Sequence, residues 1–212
     1  MVIAIDGPAG AGKSSVARGV AAALGFTYLD SGAMYRCVAL AGIERGASPD
    51  DAAAMAALAR ELEIELDGGR VRLSGRDISE AIRVPEVTLA ASRVSVHLGV
   101  REEIVARQRA LIAAGRYVAE GRDIGTVVSP DAPLKVFLTA TEAVRARRRA
   151  AQTGEDTEEV LAAQRERDAR DTERRHGALL AAPDAVVLDT SALALPEVLE
   201  RVVGLARERG LG

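Results

Sequence analysis

Short apolar runs alternate along this chain with longer segments in which apolar residues return every three or four positions. Val2-Ile3-Ala4-Ile5 reads as a short buried strand, and Ser15 to Leu24, rich in alanine and closed by Gly25, reads as a helix. Phe26-Thr27-Tyr28-Leu29 gives a second strand, ending at Asp30-Ser31-Gly32, and Ala33 to Ile43 a second helix. Gly46 and Pro49 break the pattern before an Ala-rich helix from Asp50 to Leu62. Further on, Arg101 to Ala114 predicts a helix, Tyr117-Val118-Ala119 a strand, and Leu134 to Leu138 another strand. An arginine-rich segment from Thr141 to Gln152 and a charged helix from Thr157 to about Arg175 follow, separated by Thr153-Gly154-Glu155-Asp156. Ala185 to Asp189 is the last strand and Leu195 to Arg209 the closing helix. Strands alternating with helices imply an α/β fold with a parallel sheet covered on both faces.

One stretch departs from that rhythm. Glu63 to Leu66, then Asp67-Gly68-Gly69, then Val71-Arg72-Leu73 alternates apolar and charged positions around a turn, which predicts a β-hairpin. Residues 63–92 are therefore expected to form a small insert in an otherwise single domain, 1–212.

The junction between the first strand and the first helix carries the clearest chemistry. Gly7-Pro8-Ala9-Gly10-Ala11-Gly12-Lys13-Ser14 fits G-x-x-x-x-G-K-[ST] at every fixed position, with strand before and helix after. Glycines allow successive backbone N–H groups to line one hollow for phosphate oxygens, and the helix N-terminus adds its positive dipole end. Lys13 adds a full charge for the β- and γ-phosphates, and the Ser14 hydroxyl is placed to ligate Mg²⁺. The loop is expected to bind a nucleoside triphosphate through Gly7 to Ser15. Ligands of open parallel sheets bind beyond the carboxyl ends of the strands. Asp6, Asp30-Ser31-Gly32 and Glu120-Gly121-Arg122-Asp123 should arrive on that rim. Arg122 suits a bidentate phosphate grip, and Asp123 can accept from a base amino group.

Two helix faces concentrate arginine. Arg145, Arg148 and Arg149 fall at i, i+3 and i+4; Arg167, Asp171 and Arg174 fall at i, i+4 and i+7. Spacing alone leaves two readings open: solvated helices laced with salt bridges, or spare cations for a polyphosphate.

Whole-chain properties narrow the class. Charged residues make up 28% and hydrophobic ones 48% of 212, with a net charge of −3, so the surface offers no general footprint for nucleic acid or anionic lipid. Cys37 is the single cysteine, which excludes an internal disulfide and fits a reducing compartment. No basic segment precedes an apolar stretch at the N-terminus, and charges interrupt every apolar run before a bilayer span is reached. A cytoplasmic protein is expected, with no membrane or nucleic-acid partner, and a monomer, since nothing suggests a large apolar dimer face.

Taken together, these blocks resemble bacterial cytidylate kinases. The likeness rests on Gly7 to Ser15, Leu29-Asp30-Ser31-Gly32-Ala33-Met34-Tyr35-Arg36, Glu120 to Val128, Pro130-Asp131-Ala132-Pro133 and Arg165-Glu166-Arg167-Asp168-Ala169-Arg170-Asp171, in that order over nearly the whole chain. The resemblance implies a P-loop nucleoside monophosphate kinase fold: a parallel core sheet flanked by helices, a monophosphate-binding insert and an arginine-bearing lid at about 145–165. It implies ATP and CMP or dCMP as substrates and Mg²⁺ as cofactor. By matching motifs, Arg36, Arg122 and Arg174 would grip the CMP phosphate, and Asp171 with Arg167 would bind the ribose. Ser31, Ser92, Arg101 and Asp123 would surround the cytosine. Arg145, Arg148 and Arg149 would fold over the ATP phosphates, and Lys13, Arg122, Arg148 and Arg174 would carry the chemistry.

The expected reaction is in-line transfer of the γ-phosphoryl group of ATP to the CMP phosphate. The acceptor oxygen is already ionised near neutral pH, so the lack of a catalytic histidine (only His97 and His176 exist) is no obstacle. A kinase of another small acceptor, such as shikimate, would share the loop and lid. A nucleotide-dependent switch is disfavoured, because neither N-K-x-D nor a strand-end D-x-x-G is present.

Overall fold

The computed structural model describes residues 1–212 and divides into two compact units, Met1–Tyr28 with Gly115–Gly212, and Leu29–Ala114. In chain order the elements are β1 (Val2–Asp6), α1 (Lys13–Leu24), β2 (Thr27–Asp30), α2 (Ser31–Glu44), α3 (Ala52–Glu61), β3 (Ile64–Asp67), β4 (Arg70–Leu73) and β5 (Arg76–Asp77). A 3₁₀ turn (Ala81–Arg83) then leads to α4 (Pro85–Val94), α5 (Leu98–Ala113) and β6 (Tyr117–Gly121). A π-type turn (Ile124–Val128) precedes β7 (Leu134–Thr139), α6 (Glu142–Thr153), α7 (Thr157–Glu173), β8 (Val186–Asp189) and α8 (Leu195–Glu208).

The first unit is built on a five-stranded sheet of order β2-β6-β1-β7-β8. β1 pairs in parallel with β6 and with β7, and β7 with β8. The central strands are apolar at consecutive positions, as expected of a parallel sheet buried on both faces. Ile3, Ile5, Leu134 and Leu138 have no exposed surface. Each contributes about 1.5–3 kcal/mol through burial. With Val16, Val20, Val198 and Val202 they form the core under α1 and α8. This register brings the carboxyl ends of β1 and β6 level: Ile5 lies opposite Glu120 and Asp6 opposite Gly121. The phosphate loop and the Arg122 loop therefore leave the sheet side by side.

In the second unit, β3, β4 and β5 form an antiparallel sheet, with the β3–β4 turn at Gly68-Gly69 where the alternating pattern places it. Its core draws on α2, α3, α4 and α5, with Met34, Val38, Met55, Ile82, Val94, Val100 and Ile104 all buried. Asp30 and Asp51 start α2 and α3 as N-caps, accepting from the amides of Ala33 and Ala54 at 3.0 Å. α4, begun by Pro85 at its first turn, starts inside the stretch read above as an insert and ends at Val94, beyond its expected end at 92.

Candidate active site

The phosphate loop joins β1 to α1, and α1 begins at Lys13 itself. Gly10 has φ +77, and a Cβ there would come within 2.9 Å of both the Arg145 Cβ and the Gln164 Nε2. Only glycine lets α6 and α7 lie this close over the loop. Ser14 is exposed at the start of α1, whereas Lys13 is 7% exposed and donates from Nζ to the Pro8 carbonyl at 2.8 Å.

Lys13 sits among other cations. Burial, with Arg122 and Arg167 nearby, pushes its ammonium down to about 7, while Glu120 and Asp6 oppose the shift. A polyphosphate placed beside it would restore the ordinary value. ATP binding is therefore expected to take up close to one proton per site at pH 8, less as the pH falls towards 6, and none in Lys13→Met. Calorimetric titrations in buffers of different ionisation heat measure that uptake; equal heats in all buffers would contradict it.

Beyond the loop, three guanidiniums gather on one carboxylate. Arg122 donates from Nε to Asp171 Oδ2 at 2.8 Å, and Arg167 Nε and Arg174 Nη1 each lie 4.0 Å from an Asp171 oxygen. Arg174 Nη2 is also 3.6 Å from Asp123 Oδ1, and its Nε donates to the Gly177 carbonyl. Burial would raise the Asp171 carboxyl, but Arg122, Arg167 and Arg174 hold it below the ordinary carboxylate range. Three buried or half-buried guanidiniums face two carboxylates here. A net cationic cluster of this kind, beside a phosphate loop, suits a second phosphate-bearing ligand. α7 supplies it by helical phase: Arg167, Asp171 and Arg174 share one face, whereas Arg165 pairs with Glu142 on the surface, and Arg170 with Glu166 one turn earlier.

The arginines of α6 are engaged differently. Arg145 is 5% exposed and donates to the carbonyls of Ala140 (3.1 Å) and Ala9 (2.9 Å) and to Asp168 (2.6 Å). It pins α6 and α7 to the phosphate loop. Arg148 donates to the Thr190 hydroxyl at 3.0 Å and carbonyl at 2.7 Å. Arg149 is half-buried and Arg147 exposed. Asp168 and Gln164 are further partners at this corner, beyond the site residues the sequence predicts. Their only signal is that 164, 168 and 171 recur at i, i+4 and i+7, a polar stripe on a helix face that also buries Val160.

Glu120, 4% exposed at the end of β6, accepts from the Tyr28 hydroxyl. No group of three His, Cys, Asp or Glu side chains is arranged to hold a metal. A Mg²⁺ carried on a nucleotide would keep phosphate oxygens and waters as ligands and ask the protein for little more than one hydroxyl. Ser14 is exposed where it can provide it.

Four sequence-predicted residues belong to the second unit. Arg36 donates to Asp30 Oδ2 at 2.7 Å, and its Nε is buried with no protein partner. Ser31 is 5% exposed. Ser92 is 3% exposed, its hydroxyl also without a protein partner. Arg101, 3% exposed, donates to the Tyr35 hydroxyl at 3.4 Å. The Arg36 Nε and the Ser92 hydroxyl, buried without a protein partner, are costly unless a water, an ion or a ligand meets them. Of the histidines, His97 contacts the Pro49 carbonyl in the second unit and His176 is exposed.

Comparison with known proteins gives the family. The family model for cytidylate kinase matches residues 3–208. The cytidylate kinase of Solibacter usitatus is 48% identical over 216 residues, covering 99% of this chain and 93% of the relative. That of Mycobacterium avium is 49% identical over 219 residues, covering 99% and 96%. Among solved structures, a gluconokinase from Sinorhizobium meliloti superposes with a TM-score of 0.52 at 20% identity, covering 99% of this chain and 93% of that one, which shows the fold. This chain belongs to the cytidylate kinase family.

Proposed function

We infer that this protein transfers the γ-phosphoryl group of ATP to CMP or dCMP, giving CDP or dCDP and ADP, a step of pyrimidine nucleotide metabolism. The observation that carries the reading is the cationic cluster of Arg122, Arg167 and Arg174 on Asp171, close enough to the phosphate loop for Arg122 and Arg167 to depress Lys13. Two anionic ligands, one at the loop and one at the cluster, are what a phosphoryl transfer between nucleotides requires.

On this reading Gly7 to Ser15 cradle the ATP phosphates and Lys13 turns from the Pro8 carbonyl to the β- and γ-phosphates. Mg²⁺, held by Ser14 and the nucleotide, supplies neutralisation of charge on the phosphate oxygens. Arg36, Arg122 and Arg174 take the CMP phosphate, and Asp171 with Arg167 the ribose hydroxyls. Asp123, Arg101, Ser31 and Ser92 read the cytosine: its amino group donates to the carboxylate, and its ring acceptors take the guanidinium and hydroxyls. Uracil would turn a carbonyl oxygen on Asp123 instead, which disfavours it. Arg148 leaves Thr190, and with Arg145 and Arg149 closes the lid at about 145–165, excluding water that would otherwise accept the phosphoryl group. The monophosphate-binding insert is placed at about 63–92 of a single kinase, 1–212. No helix is long and apolar enough to cross a membrane. The enzyme of this reading acts as a cytoplasmic monomer.

The test is ADP release in a coupled assay with ATP and Mg²⁺, comparing CMP, dCMP, UMP, AMP, shikimate and no acceptor. Fast turnover with CMP and dCMP and slow turnover with UMP is expected. Turnover indifferent to the acceptor would mean an ATPase, and turnover with shikimate alone a different acceptor site.

A further inference from the structure

Asp6, the last residue of β1 and the neighbour of the phosphate loop, belongs to none of the contacts assigned above. It is 5% exposed, and both its oxygens are used: Oδ1 accepts from the Ile124 amide at 2.9 Å and Oδ2 from the Gly125 amide at 2.7 Å. Those amides open the π-type turn that follows Arg122 and Asp123. Later amides are satisfied inside the turn, Val127 and Val128 donating to the Asp123 carbonyl and Ser129 to that of Ile124. The first amides of such a turn have no internal acceptor, and Asp6 supplies one from a segment 118 residues away in sequence. A Cβ at position 125 would meet the Lys135 Cδ at 3.2 Å, tighter than an ordinary contact, and Asp6 Oδ2 at 3.4 Å.

We propose that Asp6 is a positioning residue for phosphoryl transfer: its carboxylate locks the loop carrying Arg122 and Asp123 to the start of the phosphate loop, so that the acceptor is held in register with the donor. The chemistry explains why a carboxylate stands here. Two neighbouring N–H donors need two acceptor oxygens; an asparagine offers one, and its NH₂ would face a second N–H. Keeping the charge is expensive. Burial drives the Asp6 carboxyl up to about 6, with Asp123 adding to the rise, while the amides of Gly125 and Ile124 and the Lys13 ammonium pull against it. A group needed only for packing would be cheaper as an apolar side chain.

The specificity part of this proposal rests on the reading that Asp123 recognises cytosine, so the experiment separates the two. Steady-state kinetics with CMP and with UMP, calorimetric ATP affinity and melting temperature are measured for the wild type, Asp6→Asn, Gly125→Ala and Asp123→Asn. A displacement of about 1 Å at reacting groups costs about 100-fold. The expected result is a kcat with CMP lowered about 100-fold in Asp6→Asn, with ATP affinity within about threefold of wild type. The preference for CMP over UMP should fall towards that of Asp123→Asn, and Gly125→Ala should move in the same direction. If Asp123→Asn loses the preference while Asp6→Asn and Gly125→Ala keep it together with wild-type kcat, Asp6 is not a positioning residue. If Asp123→Asn itself keeps the preference, the cytosine reading fails; a kcat loss at constant ATP affinity in Asp6→Asn still upholds the positioning of Arg122. A lower melting temperature with unchanged kcat, or ATP affinity lost in step with kcat, would assign Asp6 to stability or to the phosphate loop alone and overturn the proposal. Should Asp6→Asn not fold, Gly125→Ala decides on the same criteria.

Discussion

Lys13→Met is expected to abolish turnover and, at the same time, to raise the melting temperature. The kinetic loss follows from the role proposed for Lys13 at the β- and γ-phosphates; single preorganised donors are worth about 10²–10³ in rate, and a charged one at the reacting centre at least the upper figure. The gain in stability follows from the cost of Lys13 in the empty site. Its ammonium titrates at about 7 in the folded protein, against 10.5 for an unperturbed lysine, burial being the main cause and the Arg122 charge the next. Because the folded value is the lower one, the unfolded chain binds more protons between those two limits. The cost is therefore complete at and below pH 7 and fades as the pH rises towards 10.5. Methionine keeps the length and removes the charge. After deducting the hydrogen bond to Pro8, a net gain of about 1–2 kcal/mol is expected at pH 6.5, roughly 2–8 °C for a chain of this size. The gain should shrink at pH 9.5. Scanning calorimetry at the two pH values, beside the coupled assay, checks both halves; a methionine variant that melts lower at pH 6.5 would mean that Lys13 is not strained in the empty site.

That strain was not visible in the sequence, although the loop itself was. Gly7 to Ser14 is legible because its chemistry is local: strand, glycines, lysine and helix follow one another within a few residues. The face formed by Arg167, Asp171 and Arg174 is legible for the same reason, since helical phase alone separates it from Arg165 and Arg170, which pair with Glu142 and Glu166. What could not be read are contacts between distant segments. Arg145 is one more arginine of a charged helix until α7 brings Asp168 to it and the loop brings the Ala9 carbonyl. The second unit is similar. Its hairpin shows in the alternation around Gly68-Gly69, but its extent is set by a core that joins Met34, Met55, Ile82 and Ile104 across 70 positions of sequence. α4 has no separate expectation within the stretch read as an insert; burial of Val87, Ala90, Ala91 and Val94 on one face holds it helical.

Arg122→Ala should lower kcat with CMP by two to three orders of magnitude while ATP still binds. On the proposed function Arg122 bridges the two halves of the reaction: its Nε is bound to Asp171, and its charge reaches Lys13. Removing it leaves Asp171 with Arg167 and Arg174, each 4.0 Å away. The carboxylate stays paired, so the protein should fold and lose less than the about 3–5 kcal/mol of a fully broken buried pair. Two further consequences separate Arg122 from a merely structural arginine. Its loss relieves the cationic crowding of Lys13, so proton uptake on ATP binding at pH 8 should fall and ATP affinity should hold or improve. Arg122→Lys keeps the charge but not the planar fork, and should recover only part of the rate. The pattern of lower kcat, unimpaired ATP affinity and reduced proton uptake belongs to a cation spent on the transferred group. Wild-type turnover in Arg122→Ala would remove Arg122 from the transfer step and leave the cluster on Asp171 a structural one.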